Sequence, residues 1–191
     1  GIEADITVVC LDKDYFRVVS SAAVQNRDKH HILKILDTNV EFTDVTDEYA
    51  CLGIFGPKSR NLITEIAGDL FQTKNFPFGT GKNIIIKGIK VWAQRLSYVG
   101  ELGWEIYIPI KSAKKIYDEV IKVGTKYDLC HAGAHAMDIL RMEKGYLHWG
   151  HDISPEENQY EAGLNFAISF KKNVDFIGRD VLVRKKNEKP K

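Results

Sequence analysis

The chain has 191 residues, 44% of them apolar and 28% charged, which is enough for a packed core in one large or two small domains. A net charge of +1 with neutral histidines gives no electrostatic reason to expect nucleic acid or a membrane as partner, and no apolar run is long enough to span a bilayer. Cys10, Cys51 and Cys130 are odd in number, widely spaced and without a Cys-x-x-Cys. That argues against a disulfide framework or a zinc ribbon, and it fits a reducing compartment: cytoplasmic, or the mitochondrial matrix in a eukaryote.

In chain order, Asp5 to Cys10 alternates and is rich in β-branched residues, the pattern of a strand rather than of a targeting segment. Asp12-Lys13-Asp14 reads as a turn and Tyr15 to Ser20 as the returning strand. Val24 to Leu36 reads as a helix, Val40 to Val45 as a short strand and Tyr49 to Phe55 as a buried one. Gly56-Pro57-Lys58-Ser59 opens a second helix, with Leu62, Ile63, Ile66 and Ala67 on one face. After a Pro/Gly-rich loop, Ile84 to Ile86, Lys90 to Leu96 and Trp104 to Ile110 read as strands. Ser112 is placed to cap a helix running to about Val123, and Ala134 to Tyr146 reads as another.

Strand pairs followed by a helix, over 5–36 and again over 90–123, give an α+β fold in which antiparallel sheets are covered by helices. The expected core is 1–184, in two interleaved subdomains of roughly 1–80 and 81–184, followed by a disordered basic tail over 185–191.

Gly100 and Gly103 flank Glu101-Leu102. If those two residues form a hairpin loop, Tyr98 faces Glu105, Val99 faces Trp104, and Glu101 sits at the tip in water. Tyr98 and Glu105 then share one face, and Trp104 turns to the core. A decorated surface hairpin satisfies the same spacing. Asp5 and Thr7 share a face of the first strand, and an acid there is costly unless it is exposed, paired or working. His131 and His135 are spaced for zinc, but Gly133 separates them and no glutamate adjoins the first, so capping or surface histidines fit better than a metal site. Arg141 in Arg-Met-Glu-Lys either organises a charged cluster or meets an anionic ligand tail. No phosphate loop and no nucleophile elbow is present.

Several segments, in this order, resemble the folate-binding family of the glycine-cleavage T-protein (aminomethyltransferase). They are Gly1-Ile2-Glu3-Ala4-Asp5-Ile6-Thr7-Val8, Tyr49 to Pro57, Ser97 to Glu105, Met137 to Gly145, Glu161-Ala162-Gly163-Leu164 and Phe176-Ile177-Gly178-Arg179. Gly-Ile-Glu-Ala-Asp, Tyr-Ala-Cys-Leu-Gly and Glu-Leu-Gly-Trp-Glu resemble the folate domains of dimethylglycine and sarcosine dehydrogenases in particular.

The resemblance implies tetrahydrofolate-dependent transfer of a one-carbon unit from a small amine donor, giving 5,10-methylene-tetrahydrofolate. It implies a catalytic carboxylate at Asp5, with Thr7, Tyr98, Glu105, Phe166, Glu101 and Arg141 toward the cofactor. FAD enters only if a dehydrogenase domain precedes these residues, and such a flavin domain or a lipoyl carrier protein is the expected partner. Two neighbouring activities are also implied: a folate-dependent demethylase, and a non-catalytic folate-binding module. Met137 and Ser21 stand where the T-protein has an arginine and an asparagine. The family has further sequence before Gly1 and a barrel after Arg179, so part of its folate pocket is expected outside these residues.

Overall fold

The computed structural model describes residues 1–186 and 188. The chain forms two compact units, one from Gly1–Leu36 with Leu147–Lys191, the other from Asp37–Tyr146. The first is built from both ends of the chain and the second from its continuous middle. The expected division near residue 80 falls inside the second unit.

In the first unit, β1 (Thr7–Asp12) pairs antiparallel with β2 (Tyr15–Val19), Thr7 opposite Val19, with an irregularity between Cys10 and Asp12. The strand begins two residues later than the alternation suggested. Thr7, Val9 and Leu11 are half-buried, whereas Val8, Cys10 and Asp12 are exposed. Helix α1 (Gln25–Ile35) follows. Its buried Asp28 accepts a hydrogen bond from the Ser20 hydroxyl, which compensates the loss of carboxylate hydration. The start of the chain is anchored through Ile2: its N–H donates to the Glu157 carbonyl (2.9 Å), and its carbonyl accepts from Trp149 Nε1 (2.7 Å). Helix α5 (Arg179–Lys185) comes last, so Lys185 ends a helix. Positions 187 and 189–191 of the expected basic tail lie outside the described residues.

The second unit carries a four-stranded antiparallel sheet. Its strands are β3 (Tyr49–Phe55), β4 (Gly81–Ile86), β5 (Ile89–Gln94) and β6 (Gly103–Pro109), in the order β3-β6-β5-β4. Helices α2 (Ser59–Ala67) and α3 (Ala113–Gly124) lie on one of its faces. Alternation decides which side chains they cover, because successive residues of a strand point to opposite faces. Ile54, Ile84, Val91, Trp104, Ile106 and Ile108 point to the helices and are buried. They meet Leu62, Ile63 and Ile66 of α2 and Ile116 and Val120 of α3. Each such side chain withdrawn from water contributes about 1.5–3 kcal/mol. The aromatic centre is Trp104, with Phe71 edge-on at 5.2 Å between ring centroids. Helix α4 (Ala134–Glu143) closes the unit, ending three residues before the expected Tyr146.

Two local expectations are corrected. Val40 to Val45 is not a strand, because the Asp44 carboxylate accepts from both the backbone N–H and the hydroxyl of Thr46 (3.1 and 2.7 Å). Such local side-chain bonding competes with sheet pairing. Ser112 does occupy the N-cap position of α3, but its hydroxyl makes no capping bond, since a short helical turn at Ile110–Ser112 leads directly into the helix.

Candidate functional site

The face of the second unit's sheet turned away from α2 and α3 is polar. On β6 it presents Glu105 and Tyr107; on β5, Trp92 and Gln94; on β3, Cys51, Gly53 and Phe55. The register sets these side by side: Gln94 and Gly53 flank Glu105, and Trp92 and Cys51 flank Tyr107.

Glu105 is the centre of this face. Gln94 Nε2 and the Tyr107 hydroxyl each donate to Glu105 Oε2, both at 2.7 Å. Gln94 Nε2 also donates to the Tyr107 oxygen at 3.1 Å, and Trp92 Nε1 donates to Gln94 Oε1 at 3.3 Å. Gln94 is 2% exposed and Tyr107 8%. Burial, then the charge of Glu105, pushes the Tyr107 phenol far up, so it remains a protonated donor at every physiological pH. Cys51 keeps accessible surface as a residue. Even so, loss of hydration around its sulfur, then the charge of Glu105, raises the thiol to about 11.

Two glycines shape the space beside the carboxylate. A Cβ at Gly53 would meet the Phe55 ring at 2.4 Å, and one at Gly103 would meet it at 2.3 Å. The ring therefore lies across both positions, and Gly53 is the register partner of Glu105. A Cβ at Gly103 would also come within 2.3 Å of the Ile54 carbonyl oxygen.

The expected hairpin is corrected. Glu105 faces Gln94, not Tyr98, and residues 95–102 form an irregular connection in which Tyr98 is half-buried and Glu101 exposed. The connection is fixed at its far end by the Leu102 carbonyl, which accepts from the Gly56 N–H (2.8 Å) and the Ser59 hydroxyl (2.9 Å). Those bonds engage Leu102 where a two-residue loop would leave it free. Trp104 turns to the core as expected, with no exposed surface.

Of the remaining candidates, Arg141 belongs to the second unit and Asp5, Thr7 and Phe166 to the first. Arg141 is 2% exposed; its guanidinium donates to Asp138 (2.8 and 2.7 Å) and to the Tyr146 carbonyl (3.0 Å), the charged-cluster arrangement of the two considered. In the first unit, Asp5 is exposed just ahead of β1, and Thr7 opens that strand half-buried. Phe166 lies in the helical turn Asn165–Ala167, 86% exposed. The His131 ring contacts the Tyr117 hydroxyl at 2.6 Å. Among the described residues no group of three or more His, Cys, Asp or Glu is arranged to hold a metal ion, and no helix is long and apolar enough to cross a membrane.

Sequence reasoning missed Gln94, Tyr107 and Phe55. A signal was available: Trp92 and Gln94, like Glu105 and Tyr107, are polar-capable residues at i and i+2 between apolar Val91, Ala93, Trp104 and Ile106.

A family model described as the GCVT N-terminal domain matches residues 1–172. The chain belongs to the glycine-cleavage T-protein family. Mitochondrial sarcosine dehydrogenase of Homo sapiens is 35% identical over 95% of this chain and 22% of its own length. The 4-methylaminobutanoate oxidase (formaldehyde-forming) of Paenarthrobacter nicotinovorans is 36% identical, over 96% and 22%. Aminomethyltransferase of Symbiobacterium thermophilum is 33% identical, over 97% and 51%. The chain therefore spans about half the length of the transferase and about a fifth of the two oxidising relatives. The crystal structure of glycine cleavage system aminomethyltransferase T from Bartonella henselae superimposes with a TM-score of 0.82. It is 23% identical and is matched over all of this chain and half of its own, a likeness of fold.

Proposed function

We propose that this T-protein-family chain is the tetrahydrofolate-binding part of a one-carbon transferase that captures the carbon of an amine donor as 5,10-methylene-tetrahydrofolate. The observation that carries the reading is the Glu105 carboxylate. Oε2 accepts two hydrogen bonds from within the sheet, while Oε1 accepts none among the described residues. An ionised, positioned oxygen with unused acceptor capacity suits the N–H edge of a pterin. The flat Phe55 ring, which lies across its register partner Gly53, suits the pterin face.

The relatives' names point to one kind of carbon. Sarcosine and 4-methylaminobutanoate are N-methyl amines, and the latter's oxidase is formaldehyde-forming. Tetrahydrofolate supplies the amine nitrogens that take up a carbon at that oxidation level. The protein's part is to orient the ring through Glu105 and Tyr98, and to accept a proton as the nitrogen becomes a nucleophile. Asp5 is the carboxylate assigned that proton, with Thr7 two residues further on. Phe166 and Glu101 are assigned to the outer part of the ligand. Where the chain stands within a dehydrogenase-type protein, the partner is the flavin domain that oxidises the donor.

Calorimetry of tetrahydrofolate on the full-length protein tests this. Glu105→Ala is expected to weaken binding by tenfold or more, and unchanged affinity would remove Glu105 from the site. Asp5→Ala is expected to bind tetrahydrofolate and to form methylene-tetrahydrofolate more slowly. Product formation at equal rates in the two proteins would favour a binding module without catalysis.

A further inference from the structure

The buried amide of Gln94 uses both of its donors and one acceptor position of its oxygen. Both hydrogens of Nε2 are donated, one to Glu105 Oε2 and one to the Tyr107 oxygen, while Oε1 accepts from the Trp92 indole. The indole can only donate, so it fixes which end of the amide faces Glu105. Tyr107 then has one hydrogen left, and it goes to the same carboxylate oxygen. Two donors converge on Oε2 from adjacent positions of β5 and β6, and no described donor reaches Oε1.

We infer that Gln94 and Tyr107 are positioning residues that saturate Oε2 of Glu105 and aim Oε1 alone at an N–H donor of the ligand. The inference rests on the reading of Glu105 as a ligand contact. It also sharpens that reading. A free carboxylate accepts a pair of donors on its two oxygens, whereas this one offers a single oxygen at a fixed angle. Preorganisation of this kind raises affinity by removing the rotamer freedom that binding would otherwise cost. The Trp92–Gln94 bond acts one step further out, by preventing the amide from flipping and presenting an oxygen to the carboxylate.

The test is a pair of double-mutant cycles on the full-length protein, read as calorimetric affinity for tetrahydrofolate. Tyr107→Phe removes only a hydroxyl, and Gln94→Leu keeps most of the side-chain volume. Each is expected to weaken binding by about tenfold when Glu105 is present. Each is expected to have no further effect in the Glu105→Ala background, because there is then nothing to position. A merely structural role would lower affinity equally in both backgrounds, and that result overturns the inference. So does a strong Glu105→Ala effect alongside silent Tyr107→Phe and Gln94→Leu, which would leave the reading of Glu105 standing. A silent Glu105→Ala overturns both. Should Gln94→Leu fail to fold, the Tyr107→Phe cycle decides alone.

Discussion

Gln94 and Glu105 are register partners on neighbouring strands, joined by a 2.7 Å hydrogen bond from the amide nitrogen to Oε2. The bond places an acid on the face of the sheet turned away from α2 and α3, and the charge of that acid is felt by its neighbours.

Cys51 reports that charge. Its thiol is raised to about 11 by lost hydration and by Glu105, so little thiolate exists near pH 8. Alkylation of Cys51 at pH 8 is therefore expected to be slow. Glu105→Gln removes the negative charge that disfavours the thiolate, so the Cys51 pKa falls and alkylation accelerates. The remaining desolvation keeps the thiol above its ordinary value. Site-resolved mass spectrometry of iodoacetamide labelling measures both rates, and equal rates would show that Glu105 carries no charge beside this thiol.

Gly103 is required by contact rather than by backbone angle. An added methyl would meet the Ile54 carbonyl oxygen and the Phe55 ring, and the carbonyl belongs to a paired strand that cannot retreat. Gly103→Ala is expected to cost about 3 kcal/mol in urea unfolding. Gly133→Ala meets nothing within 4 Å and is expected to cost less than about 1 kcal/mol. Similar costs at the two glycines would contradict the close approach of β3 and β6.

Much of this architecture was legible in the sequence because burial on one face leaves a period. The bounds of β3 were read as observed, and Leu62, Ile63 and Ile66 of the face read for α2 are buried. The partner of Glu105 was not legible. Strand register there depends on how Leu102 is held by Gly56 and Ser59, which come from a turn more than forty residues earlier in the chain. The strand expected over Val40 to Val45 failed for a local reason, since β-branched residues were outweighed by the Asp44 turn. Phe55 was hidden because the position of its ring comes from two absent side chains, at Gly53 and Gly103.

Trp104 separates packing from polarity. Its ring is wholly buried, and Nε1 has no hydrogen-bond partner among the described residues. Arg60 and Arg95 each lie 5.8 Å from its centroid. Trp104→Ala removes the ring that Phe71 and Phe76 pack against and is expected to cost about 3–5 kcal/mol. Trp104→Phe keeps an aromatic face for both guanidiniums and gives up no hydrogen bond, so a loss of about 1–2 kcal/mol is expected. Urea unfolding of the two variants distinguishes the cases, and equal losses would mean that the indole nitrogen is bonded after all.

Arg141 tests whether a buried guanidinium shapes the chain after α4. Asp138 lies three residues earlier on the same helix and receives two of its nitrogens, while a third reaches the Tyr146 carbonyl beyond the helix end. Lysine carries the same charge but cannot fork between a carboxylate and a carbonyl. Arg141→Lys is expected to cost about 2–4 kcal/mol and to increase amide exchange over residues 143–146, because the Tyr146 carbonyl loses its donor. Asp138→Asn keeps one acceptor and is expected to cost less, since that carboxylate is 44% exposed. If Arg141→Lys instead left stability and exchange unchanged while weakening tetrahydrofolate binding, the guanidinium would be a ligand contact, and its bonds to Asp138 and Tyr146 would be the state it adopts before the ligand arrives.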